Sequence, residues 1–102
     1  MGHVIKNRFL QPLNRTEVEQ DWQSRGYSCE LFIDPPGQQW NNFVHPTNEL
    51  VTVVEGVLEM TVEGQRWIVG PGDEVFIPKG AVHSVSNVHQ GMTRWLYGYD
   101  SV

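Results

Sequence analysis

The chain has 102 residues, enough for one hydrophobic core and expected to form one domain over 1–102, which excludes a second catalytic domain. Hydrophobic residues at 39% and four tryptophans exclude a disordered chain, while ten glycines and six prolines suit an all-β chain with many turns. The formal net charge of -5, with seven Lys and Arg scattered along the chain, offers no electrostatic footprint for nucleic acid, and no apolar run approaches the length of a membrane span.

Residues 1–13 are mixed in character, with Val4, Ile5, Phe9 and Leu10 suited to a short strand or a packed arm. His3 reads as a mobile terminal residue rather than a ligand. From Asn14 to Arg25 the pattern is helical: Thr16 is placed to cap, Glu19 follows three residues later as in a capping box, and Gly26 offers a left-handed exit. Val18 and Trp22, four apart, form the buried face, while Glu17, Glu19, Gln20 and Asp21 stay wet. Tyr27 to Asp34 reads as a strand with Tyr27, Cys29, Leu31 and Ile33 on one face and Phe32 and Asp34 on the other, stopped by Pro35-Pro36-Gly37. Cys29 is the only cysteine, so no internal disulfide forms. With no charged start leading into an apolar segment, the expectation is a cytoplasmic protein.

The next stretch carries the chemistry. Strand side chains alternate with a period of two, so Asn41, Phe43, His45 and Glu49 share a phase if no bulge intervenes. Downstream, Glu49 to Val54 and Val57 to Val62 are rich in β-branched residues, and the repeated Val-Glu-Gly at 54–56 and 62–64 marks two successive hairpin turns, a meander. Gln65 to Val69 leads to Gly70-Pro71-Gly72, Glu74 to Pro78 forms another strand, and Lys79-Gly80 turns the chain toward His83. His89 falls in an exposed loop, and the last strand, Met92 to Asp100, puts Trp95, Tyr97 and Tyr99 on one side. That aromatic row either stacks against a flat ligand inside a barrel or packs a core or subunit interface. Two imidazoles and a carboxylate, His45, His83 and Glu49, suit Fe, Mn, Ni or Zn and are the ligand set of many non-haem iron oxygenases.

The spacing of these residues is specific. From Gly37 the chain reads five residues, Phe43-Val44-His45, three residues, Glu49, six residues and Gly56. After a spacer of fifteen residues it reads Gly72, five residues, Pro78-Lys79-Gly80, two residues, His83, three residues and Asn87. Residues 37–56 and 72–87 resemble the first and second motifs of the cupin superfamily, in its small single-domain bacterial-type (cupin 2-like, RmlC-like) form. Every position of the second motif is met, and in the first Phe43 stands where the family has its first histidine. The resemblance implies an all-β fold, a double-stranded β-helix (jelly-roll) barrel with one short N-terminal helix. It also places His45, Glu49 and His83 at three of the family's four usual ligand positions.

Two outcomes follow from Phe43. Either three residues hold one divalent transition metal with a further position open to water or substrate, or the site has lost its metal and the phenyl ring fills the vacancy. The first makes the protein a metal-dependent enzyme of dioxygenase-like or isomerase-like kind; the alternative is a non-catalytic module that binds or senses a small molecule. Asn41, Phe43, Phe76, Asn87, Trp95 and Tyr97 are the expected pocket residues, with Asn87 also suited to a strand-end structural role. The expected partners are a small molecule and a second copy of the chain. A homodimer would cover Phe9, Leu10, Trp22 and the C-terminal aromatics.

Overall fold

The computed structural model describes residues 2–100, with one helix and nine strands. Strands β1 (His3–Ile5), β7 (Glu74–Ile77), β4 (Glu49–Glu55), β9 (Thr93–Tyr99) and β2 (Glu30–Asp34) lie side by side in that order in one antiparallel sheet. Strands β3 (Gln39–Phe43), β8 (His83–Asn87), β5 (Leu58–Val62) and β6 (Gln65–Val69) form the second. The inward faces meet in one core: Val51, Val53, Val75 and Ile77 from the first sheet pack with Leu58, Met60, Val69 and Val85 from the second. This is the jelly-roll arrangement expected of the fold.

The outer face of the five-stranded sheet carries the helix α1 (Arg15–Ser24). Val18 and Trp22, both fully buried, seal Leu50 of β4 and Leu96 of β9, which alternate with the inward residues of the same strands. The cap is Asn14 rather than Thr16: its side-chain oxygen accepts from the backbone N–H groups of Thr16 and Glu17. Thr16 lies one turn position too late, inside the helix. At the other end Gly26, with φ 87°, donates to Gln23 and closes the helix as its sequence position suggests. Tyr27, Cys29 and Leu31 pack beneath the helix side, and burial pushes the Cys29 thiol up to about 11, so it is an inert packed group.

One polar cluster ties helix to sheet. Glu74, 2% exposed, accepts from both guanidinium nitrogens of Arg25 at 2.9 and 3.0 Å and from the Trp22 indole at 2.8 Å. The Glu74 hydrogen bonds hold the Arg25 guanidinium well above its ordinary range. An Arg25→Ala variant leaves this buried carboxylate with the indole as its main donor, since Arg8 stands at 3.6 Å. The expected cost is about 2–3 kcal/mol, below the range for a fully buried pair because Arg25 is partly wet. Urea unfolding measures it, and a loss under about 0.5 kcal/mol would remove the cluster's anchoring role.

Three expectations change. Only the turn at 63–64 closes a hairpin, with Glu63 and Gly64 both at positive φ and Val62 opposite Gln65. The segment after Glu55 carries the chain from one sheet to the other, and Gly56, at φ 100°, lies against Thr93 so closely that any Cβ would collide with it. His3 is paired in β1, its ring stacked 5.2 Å from Phe76. Trp22 is sealed under the helix and Trp95, Tyr97 and Tyr99 turn inward, so of the surface expected to favour a homodimer Leu10, at 86% exposure, is what remains open.

Candidate metal centre

His45 and Glu49 do not sit on one strand. β3 ends at Phe43, and residues 44–48 carry the chain across to β4 in the opposite sheet, where Glu49 is the first residue. Between Trp40 and Phe43 the register of β3 shifts, with Asn42 at φ 58°, so the expected phase breaks. Phe43 still faces inward opposite His83, but Asn41 is thrown to the exterior and Trp40 takes an inward place. On the facing sheet Glu49 is the cross-strand neighbour of Tyr99. Thus Phe43 and His83 from one sheet, Glu49 and Tyr99 from the other, and His45 from the connection between them converge at one end of the barrel.

The three donors meet. Glu49 Oε1 lies 3.7 Å from His45 Nε2 and 3.5 Å from His83 Nε2, and one donor atom from each of the three residues falls within 4.8 Å of the others. Bonds of about 2.1 Å to a common ion separate donors by at most about 4.2 Å, so the Glu–His spacings already fit and the imidazoles need draw together by less than about 1 Å. His83 Nδ1 stands 3.1 Å from the Ala81 carbonyl, which can only accept; Nδ1 therefore carries the proton and Nε2 presents its lone pair to the centre.

Two further observations fit an ion there. Glu49 is 4% exposed, and its Oε1, the oxygen facing both histidines, has no hydrogen-bond partner. A buried carboxylate oxygen without a donor is costly, and a cation is the chemistry that relieves it. Burial pushes the Glu49 carboxyl up to about 8, and burial lowers both His45 and His83, with the two rings also disfavouring each other's charge at His45. Near neutral pH the histidines are therefore in the neutral form that coordination requires.

Phe43 does not plug the centre. It is 39% exposed, its ring lies nearly parallel to that of His45 at 6.2 Å, and it stands 6.4 Å from the His83 ring. Beside it opens a cavity of about 190 Å³ with the three donors at one end. Phe32, Trp40, Trp95, Tyr97 and Tyr99 form most of its remaining wall.

Of the expected pocket residues, Phe43, Trp95 and Tyr97 line this cavity and Asn41, Phe76 and Asn87 do not. Phe76 alternates with the inward Val75 and Ile77 and so packs on the helix side. Asn87, 3% exposed, is a clasp: its amide donates to the carbonyls of Asp34, Pro35 and Gly91, and its oxygen accepts from Thr93 and the His89 backbone. Phe32 and Trp40 are wall residues beyond the expected set, and Tyr99, from the aromatic row of the last strand, joins them. Phe32 and Tyr99 follow from strand phase once the inward face is known, whereas the inward turn of Trp40 depends on the bulge.

A model of the cupin domain family (Cupin_2) matches residues 30–99, more than half of the chain. The chain belongs to the cupin family. No curated protein sequence matches it significantly. Among solved structures it is similar to an RmlC-like cupin from Shewanella frigidimarina, with a TM-score of 0.67 and 17% identity over 76% of this chain and 68% of that one. An oxalate oxidase in complex with the substrate analogue glycolate gives 0.68 and 23%, covering 76% of this chain and 43% of the other. A salicylate 1,2-dioxygenase from Pseudoaminobacter salicylatoxidans gives 0.66 and 16%, covering 74% and 21%. The chain thus spans less than half of either of these last two proteins, and at these identities the likeness establishes the shared cupin fold. Among the described residues no helix is long and apolar enough to cross a membrane.

Proposed function

We propose that this cupin holds one divalent transition metal (Fe, Mn, Ni or Zn) on His45, Glu49 and His83 and binds a small molecule in the cavity beside it, with dioxygenase-like or isomerase-like chemistry. The observation that carries the reading is the orphaned Glu49 Oε1 between two Nε2 atoms at 3.5 and 3.7 Å. When bound, the metal supplies a Lewis acid, an activated water or a template for substrate. The chain supplies the rest. Ala81 fixes the His83 tautomer, and the aromatic wall gives a bound molecule an apolar surface to pack on. Burial, with Glu49 and Tyr97 nearby, pushes the Tyr99 hydroxyl up to about 12, so at neutral pH it keeps its proton and can donate to a ligand. The similarity to an oxalate oxidase and a salicylate dioxygenase favours the enzyme reading.

A second reading, a metal-free small-molecule binder or sensor, is favoured by one observation: the residue at the family's first histidine position is Phe43. Elemental analysis of protein purified without chelators separates the two. The expected result is about one metal per chain, lost in both His45→Ala and His83→Ala; unchanged content in both variants would dismiss the ligand set. Phe43→His is expected to tighten binding by about tenfold or more, since position 43 lies opposite His83 at the cavity rim. Oxygen uptake with candidate substrates then distinguishes catalysis from binding.

A further inference from the structure

The wall of the cavity away from the metal donors is held by a buried charge. Asp34, with no exposed surface, accepts the indole N–H of Trp40 on Oδ1 at 3.1 Å and that of Trp95 on Oδ2 at 3.0 Å. One carboxylate thus ties β3 of one sheet to β9 of the other through two rings that both line the cavity. Phe32, two residues before Asp34 on the same face, stands edge-on to both indoles at 5.6 and 5.8 Å and to Tyr97 at 6.5 Å. The row continues through Tyr97 and Tyr99 to His45, with centroid spacings of 5.8 and 5.1 Å.

Shape and chemistry together narrow the ligand. Apart from Val85 the apolar walls are rigid aromatic faces and edges, and such surfaces prefer a flat π system in offset or edge-on contact. A cavity of about 190 Å³ has room for one ring with a small substituent, given that an apolar cavity of about 150 Å³ takes up benzene. At the opposite end, a divalent ion on two neutral imidazoles and one carboxylate leaves a net positive charge, which selects an anionic oxygen. Tyr99 beside it offers an O–H donor.

We propose that the pocket selects a monocyclic aromatic acid, its carboxylate toward His45, Glu49 and His83 and its ring between the walls that Trp40 and Trp95 form, and that Asp34 is the positioning residue that sets those walls. The headgroup half rests on the metal reading above; the ring half does not. Asp34 touches no metal donor and acts through the two indoles. Replacing it with asparagine leaves one acceptor for two N–H groups and turns an amide N–H₂ toward an indole N–H, so one wall loses its anchor.

Calorimetric titration of the zinc-loaded protein with benzoate, cyclohexanecarboxylate and acetate tests this. Benzoate is expected to bind at least about tenfold tighter than acetate and measurably tighter than cyclohexanecarboxylate, whose puckered ring offers the aromatic walls no flat π face. Asp34→Asn is expected to keep its zinc content while the benzoate-to-acetate ratio falls by about tenfold, a change that a general loss of stability would not produce. Trp40→Ala is expected to lose the preference and Trp40→Phe, which restores a ring without needing Asp34, to regain most of it. A zinc-loaded protein that binds acetate and benzoate equally would overturn the ring proposal and leave the metal reading intact. Conversely, a protein that takes no metal but binds phenol in preference to cyclohexanol would keep the ring proposal and remove its headgroup half. Unaltered selectivity in a folded Asp34→Asn would remove the role given to Asp34.

Discussion

Glu49→Gln is expected to weaken metal binding by at least about 100-fold, because it replaces the one anionic donor of the centre with a neutral amide. In metal-free protein the same change is expected to remove a pH dependence of stability. Folded Glu49 keeps its proton up to about 8, whereas the unfolded chain releases it near 4.5. The folded state therefore binds the extra proton between these values, and the group's contribution, complete below 4.5, is lost as pH rises through 8. The histidines act in the opposite sense, since their folded values are lowered, and their contribution, complete well above 6.5, is lost as pH falls through 6.5 and below. Between pH 6.5 and 8 the Glu49 loss outweighs the last of the histidine gain, and wild type is expected to lose about 1 kcal/mol, roughly 4–8 °C in Tm, while Glu49→Gln rises slightly.

Metal reverses the sign. Below about 8 an ion must displace the Glu49 proton, so apparent affinity rises about tenfold per pH unit up to that value and then levels off. The ligand types alone point to the histidine range as the controlling titration; burial of the carboxyl moves control upward. Thermal melts of chelator-treated protein across pH 6.5–8, with and without added metal, read both effects. A wild-type protein whose stability is level across that window in the absence of metal would contradict the burial of Glu49 as an unpartnered group.

The motif spacings were legible because the residues that set them are backbone devices. Gly37, Gly56, Gly72 and Gly80 all adopt positive φ, and between them the chain has little freedom in where His45, Glu49 and His83 fall. What was not legible is what depends on the neighbouring sheet. Val54-Glu55-Gly56 has the same local chemistry as Val62-Glu63-Gly64, yet one crosses between sheets and the other closes a hairpin, because the strand that follows finds its partners at β8 and β6 and not at β4. Asn42 gives a single local hint of a bulge, tolerance of positive φ, and that one residue exchanges Asn41 for Trp40 at the wall. Asp34 reads as the last residue of a strand before Pro35-Pro36, with nothing local to show its role, and its two indole partners come from other strands, one of them at the far end of the chain.

Gly98→Ala is expected to be the most destabilising small substitution on the helix side, costing about 3 kcal/mol or more. Gly98 lies in β9 opposite Leu50, on the outer face, where the Ser28 carbonyl and the Trp22 ring press onto the strand. A Cβ there would overlap the Ser28 carbonyl oxygen and stand 3.1 Å from the indole. Neither neighbour can yield easily: Ser28 N–H donates to Tyr99 and its hydroxyl accepts from the Tyr99 N–H, while Trp22 is sealed between the helix and Glu74. The contrast is Gly64→Ala at the β5–β6 turn, where φ is 82° but the space is open; there the strain of a left-handed alanine sets the cost at about 1 kcal/mol. Urea unfolding of the pair separates close packing from backbone conformation as the reason for glycine. A Gly98→Ala loss no larger than that of Gly64→Ala would mean that the helix can lift from the sheet without penalty, and so that Trp22 and Leu96 contribute little to holding the barrel's outer layer in place.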